Sequence, residues 1–171
     1  MNPLLMESKN KFKTIEFNNI KLEHFMPAIH EAISIAKVNI ANIKSSNDKP
    51  TFKNTIVALE ISQEDLDRAV SVYFHLFSSE STPEFQALAS EISPILANFG
   101  NDITLDKELF ERVESVYNKD YDNLDFEDKR LTEITYKSFT RNGANLDEKS
   151  KIQLRKVDEE LSSLSPKFSN N

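Results

Sequence analysis

Apolar residues recur along this chain at intervals of three and four, with polar residues between them. From Lys21 to Ser46 they fall at Leu22, Phe25, Met26, Ile29, Ile33, Ala36, Ile40 and Ile43. That spacing is one face of an amphipathic helix. The run Ser45-Ser46-Asn47-Asp48-Lys49-Pro50 ends it, because proline cannot continue the hydrogen-bond ladder. Thr51 is placed to cap a second helix, whose stripe runs through Phe52, Ile56, Leu59, Leu66, Val70, Tyr73 and Phe77. Read as one helix, it is roughly 40 Å long at 1.5 Å per residue, a length that suits a scaffold.

Thr82-Pro83-Glu84 is a third start signal: a capping side chain, a proline at the first helical position and an acid. The stripe continues through Phe85, Leu88, Ile92, Ile95, Phe99 and Ile103, and Pro94 inside it predicts a kink. Asp106 can cap a shorter helix with Leu109, Val113, Val116 and Tyr117 on its buried side. Asp125 can cap a fifth helix through Leu131, Ile134 and Phe139. That helix ends at Arg141-Asn142-Gly143, with Gly143 in the left-handed position that stops helices. The last helix begins near Asp147. Its residues Leu154, Val157, Leu161, Leu164 and Phe168 form a seam for packing on another helix. Pro166 bends that pattern without clearly ending it.

The pattern predicts an all-α fold: an antiparallel bundle of about six helices over residues 21–171, preceded by an extended segment over residues 1–20. In that segment "TIEFNNI" alternates and packs Ile15, Phe17 and Ile20. Composition agrees. The 171 residues suffice for one domain with a core, and only two glycines, Gly100 and Gly143, leave little for the tight turns of a sandwich or barrel. A net charge of -7 disfavours nucleic acid and anionic membrane surfaces, both of which require clustered cations. There is no cysteine, so disulfides and thiolate chemistry are excluded. No stretch reads as a signal peptide or a membrane span, which makes the cytoplasm the default compartment.

No constellation of residues reads as an active site. Zinc peptidases of the HExxH type place two histidines one helical turn apart. Here His30-Glu31 is followed by Ala32, Ile33 and Ser34, so the second histidine is missing. His24 and His30 point roughly 120° apart on one helix, and His75 lies on another. All three read as surface or boundary histidines. The acidic loop Asp120, Asp122, Asp125, Glu127 and Asp128 lacks the glycine of a calcium hand, and reads as a solvated, helix-capping loop. Tyr73 and Phe77 lie on the core stripe and Phe74 beside it, so packing outweighs an aromatic binding patch. No catalytic, cofactor-binding or metal residue is therefore assigned within the chain.

Four segments carry a family resemblance: "FNNIKLEHFMPAIHEAI", "PTFKNTIVALE", "EISPILANFGNDITLDKELFERVESVY" and "RLTEITYKSFTRNGANL". Read in order, with the tail "VDEELSSLSPKFSNN", they resemble the N-terminal region of the thimet oligopeptidase family, of the bacterial peptidyl-dipeptidase and oligopeptidase A type. The resemblance runs from about Phe17 to Asn171. It implies a mostly helical zinc peptidase with two halves around a channel that admits short peptides. It also implies that the HExxH helix and a further glutamate ligand lie in a C-terminal half absent here. In such a parent, zinc polarises the scissile carbonyl and activates water. None of those residues has a matching position in this chain, whose implied role is channel wall. The chain then reads as a piece of a longer protein, inactive alone, whose partner is the missing catalytic half. The seam of the last helix could also pair two copies as a homodimer. The competing reading is a free-standing helical interaction module without catalysis.

Overall fold

The computed structural model describes residues 2–6, 8–80 and 82–169, and the side chains of all of these except 165–167 and 169. Among the described residues there is no strand, and six helices exceed ten residues: α1 (Phe25–Ser45), α3 (Glu64–Glu80), α4 (Pro83–Thr104), α5 (Lys107–Lys119), α6 (Phe126–Arg141) and α7 (Glu148–Ser169). A four-residue piece, α2 (Ala58–Ile61), completes the set. The all-α bundle legible in the apolar spacing is the observed fold. α1 packs on α3, α5 on α6, and α7 most extensively on α4.

The caps explain where the elements begin. Thr51 Oγ1 accepts from the Asn54 amide, and the Asn54 side chain accepts from the Thr51 amide, so two orphan donors are satisfied reciprocally. Asp106 accepts from the Leu109 amide, Asp125 from the Asp128 amide and Asp147 from the Ser150 amide. Thr82 precedes α4 without a side-chain bond to its amides; its hydroxyl is engaged with Glu84 and helps hold that carboxyl below its usual range. Gly143 adopts φ +93°, and the Ala144 amide bonds back to the Phe139 carbonyl. This six-to-one closure ends α6 and turns the chain into α7.

Three features depart from the sequence pattern. The helix expected to run unbroken from Thr51 is in pieces: a π-helical start at Phe52–Val57, α2, a break at Ser62-Gln63, then α3. At the break the Ser62 hydroxyl donates to the Leu59 carbonyl at 2.6 Å, and the Asn39 amide of α1 donates to the Ser62 carbonyl at 3.3 Å. A serine that bonds the preceding turn offers the backbone an alternative to helix, and α1 fixes the joint. The segment before α1 is wound into short 3-10 turns at Pro3–Leu5, Phe17–Asn19 and Leu22–His24. Its buried anchor is Leu4, whereas Ile15 and Phe17 are about 40% exposed.

The third departure is α7. Its inner side is polar: Lys151 reaches the Leu105 carbonyl, and Arg155 reaches Asp102 and the Asn101 carbonyl. The predicted seam lies beside that face. Leu154 is half-buried, but Val157, Leu161 and Leu164 are more than half exposed and Phe168 is 81% exposed. The helix runs unbroken past Pro94 in α4 and past Pro166 in α7.

The core is built on α1. Phe25, Ala28, Ile29, Ala32 and Ala36 are wholly or almost wholly buried, in one cluster with Leu66, Ala69 and Tyr73 of α3 and Ile92 of α4. A second part joins α5 and α6, where Phe110 stacks on Phe139 and Tyr136.

Candidate functional site

The structure keeps the three histidines apart in role. His24 ends a 3-10 turn and accepts from the Lys21 amide at 3.0 Å. His30 and Glu31 are exposed on α1. His75 is exposed on α3, its ring 6.0 Å from that of Phe17. Among the described residues no three histidine, aspartate or glutamate side chains come together as a metal-ligand group.

The acidic loop is divided between two helix ends. Asp120 closes α5, Asp122 sits in the 3-10 turn Tyr121–Asn123, and Asp125 caps α6. Desolvation, then repulsion from Asp125 and Glu127, raises the Asp128 carboxyl above its usual range. Charge crowding of this kind follows from three acids at one helix start, where the macrodipole compensates them.

Tyr73 is fully buried, and its hydroxyl donates to the Phe85 carbonyl at 2.6 Å. Its ring meets Phe25 edge-on, with centroids 5.2 Å apart. Burial pushes the phenol up to about 12. Phe77 packs on the core and Phe74 is 37% exposed. These aromatics hold α1, α3 and α4 together.

Sequence reasoning missed two arginine and lysine anchors. Arg112 of α5 donates to the carbonyls of Ser46 and Asp48, pinning the loop after α1. Lys151 is 5% exposed. Nothing in a helical pattern marks a lysine as buried, because its partner carbonyl lies 46 residues away. Lys44 of α1 pairs with Asp106 and Glu108, and the bond to Asp106 is the main reason its ammonium titrates above the ordinary value.

Among the described residues, no helix is long and apolar enough to cross a membrane. What the arrangement provides is a helical bundle with an apolar stripe left exposed on α7.

The comparisons place the chain beside one part of longer proteins. The chain is 36% identical over 169 residues to dipeptidyl carboxypeptidase of Escherichia coli, covering 98% of this chain and 25% of that protein. It is 34% identical to the Salmonella typhimurium dipeptidyl carboxypeptidase over 98% of the chain, and 23% identical to oligopeptidase A of E. coli over 99%. No protein-family model matches. The chain is thus similar, over nearly its whole length, to one part of these peptidases. It spans about a quarter of the length of the curated relatives it matches.

Proposed function

We propose that this chain is the N-terminal helical part of a zinc-dependent peptidyl-dipeptidase or oligopeptidase that hydrolyses short peptides. The observation that carries the reading is identity to dipeptidyl carboxypeptidase along 98% of the chain but only 25% of the relative. The part described here supplies wall, not chemistry. In this reading zinc, water activation and the general base belong to the remainder of the parent. The exposed stripe Val157, Leu161, Leu164 and Phe168 supports the same reading, since a continuous apolar surface on a helix marks a contact with another surface. In the parent that contact is the catalytic part. The cytoplasm fits the plant relative described as a probable cytosolic oligopeptidase A, although another is described as chloroplastic/mitochondrial.

The reading frame beyond Asn171 tests the proposal directly. An HExxH motif downstream supports it; a stop codon overturns it in favour of a free-standing interaction module. A second test uses the chain itself. It is expected to leave a fluorogenic peptide intact, and chelator-sensitive cleavage would overturn the division of labour.

A further inference from the structure

The sequence contains a single Asn-Gly step, Asn142-Gly143, and the fold sets it at the joint between α6 and α7. Such a pair has chemistry of its own. The backbone nitrogen after an asparagine can attack the asparagine side chain, and glycine, with no Cβ, leaves the approach open. Every other asparagine that has a successor is followed by a residue with a side chain.

The local geometry presents this step and restrains it at once. Asn142 caps α6 and is exposed. Its backbone lies at φ -95° and ψ 20°, and its Nδ2 donates to the Ser138 carbonyl at 2.8 Å. The side chain is thus turned back along α6, not onto the next peptide. Gly143 is buried, and Leu154 of α7, Leu146 and Leu105 crowd it so closely that a Cβ would come within 3.2 Å of a methyl of each. The Ala144 amide bonds to the Phe139 carbonyl at 3.0 Å, and the Leu146 amide to the Gly143 carbonyl at 3.0 Å. These bonds and contacts hold the joint closed.

Reaction requires the joint to open. The Asn142 amide must leave Ser138, and α7 must lift enough for hydroxide to take the Gly143 amide proton. The deprotonated nitrogen then attacks Asn142 Cγ. The new N–Cγ bond forms, the Cγ–Nδ2 bond breaks, and ammonia leaves with a proton from water. The product is a five-membered cyclic imide, which water opens on either side. Cleavage of the bond from the nitrogen to Cγ leaves aspartate. Cleavage of its bond to the main-chain carbonyl leaves isoaspartate, with the chain continuing through the side chain. Nothing is oxidised or reduced, and only hydroxide and water are consumed.

Neither product rebuilds the joint. Both replace a donor to Ser138 with a carboxylate, at the helix end where the macrodipole is negative. The isoaspartyl form also adds a carbon to the backbone between α6 and Gly143, which displaces the Ala144 amide from the Phe139 carbonyl.

We propose that Asn142 is a self-modification site gated by the α6–α7 joint: the closed joint protects it, and each opening exposes it to irreversible conversion. The site is built wholly by this chain, so it stands or falls separately from the peptidase parentage.

In the test, the 171-residue chain is incubated at mildly alkaline pH, and its proteolytic peptides are followed by mass spectrometry and isoaspartate-specific methylation. Asn142 is expected to convert ahead of every other asparagine. Its rate in the folded chain is expected to be at least about tenfold below that in urea-unfolded chain, the suppression given by a locally opening joint. Leu154→Ala removes part of the cover over Gly143. It is expected to raise the Asn142 rate several-fold and leave the other asparagines unchanged; should it unfold the chain, the wild-type comparison still decides. Asn142→Gln keeps an amide but requires a six-membered ring, and is expected to abolish conversion at this position. Equal rates in folded and unfolded chain would overturn the gate. No product at Asn142, or earlier conversion of another asparagine, would overturn the site.

Discussion

The ammonium of Lys151 donates to the backbone carbonyl of Leu105 at 3.0 Å, with the lysine 5% exposed. Leu105 is the residue that closes α4, so this bond satisfies a carbonyl left without a partner at a helix end. Arg155 serves the Asn101 carbonyl one turn earlier, and its contact with Asp102 joins a site that Lys37 of α1 also reaches. Cations placed at a helix C-terminus also complement the macrodipole. Lys151→Met keeps the stem packed but orphans the carbonyl, and is expected to destabilise the chain by about 1–3 kcal/mol. Urea denaturation measures it; an unchanged midpoint would mean that water replaces the ammonium.

The two glycines are expected to respond oppositely to alanine. Gly100 lies inside α4, and a Cβ there meets nothing within 4 Å. Gly100→Ala should stabilise by about 0.5–1 kcal/mol through lost unfolded-state freedom. Gly143 has φ +93°, and a Cβ would come 2.7 Å from Leu154 Cδ2 and 2.9 Å from Leu146 Cδ1. Gly143→Ala should cost at least about 1–2 kcal/mol from the left-handed conformation alone. Parallel thermal melts compare them.

Asp106 has two tasks: it caps α5 through the Leu109 amide and it accepts from Lys44. Asp106→Ala should cost about 1–2 kcal/mol for the cap. Asp106→Asn retains a capping oxygen and should cost less, since a partly exposed ion pair contributes up to about 1 kcal/mol. Lys44 titrates above its ordinary 10.5 in the folded state. Its contribution is therefore fully present below 10.5 and fades as pH rises through the folded value. Denaturation at pH 7 and pH 11 should show the Asp106→Asn difference shrinking at the higher pH.

Tyr73 provides a second alkaline signature. Its folded pKa of about 12 lies above the ordinary 10.0 because burial disfavours the phenolate. A raised pKa stabilises the fold below pH 10 and loses that contribution between 10 and 12. Tyr73→Phe should flatten the loss over this window, while costing about 0.5–1.5 kcal/mol at neutral pH from the lost bond to the Phe85 carbonyl, which keeps its helical partner. Tyrosinate absorbance with denaturant midpoints tests both.

The exposed stripe of α7 is expected to drive self-association of the isolated chain, since nothing else in the sample offers an apolar surface. Light scattering across a concentration range should show mass rising above that of the 19.6 kDa monomer. Leu164, which is 55% exposed, can be changed without disturbing the core. Leu164→Glu should abolish the rise and leave the circular dichroism spectrum unchanged. A wild-type mass fixed at the monomer value would refute self-association.

The helices were legible because their apolar spacing is local information. Caps at Thr51, Asp106 and Asp125 and the stop at Gly143 are likewise set by residues within one turn. The break at Ser62 was not legible, because apolar residues continue in helical phase across it and the cause includes Asn39 of another helix. Nor was the orientation of α7. Its strongest apolar seam suggested the packed side, but the bonds of Lys151 and Arg155 to α4 present a neighbouring face.

The edge-on contact of Phe25 with Tyr73 has a consequence for synthesis. About 50 residues separate the two rings in sequence, and both are fully buried in the folded chain. At roughly 5–20 residues per second, a ribosome needs about 2–10 s to deliver the second after the first. During that interval the apolar face of α1, Phe25 to Ile43, has emerged without the helices that cover it. The nascent chain is therefore most exposed to aggregation and chaperone capture before Tyr73 arrives, and slowing translation between the two positions lengthens that exposure.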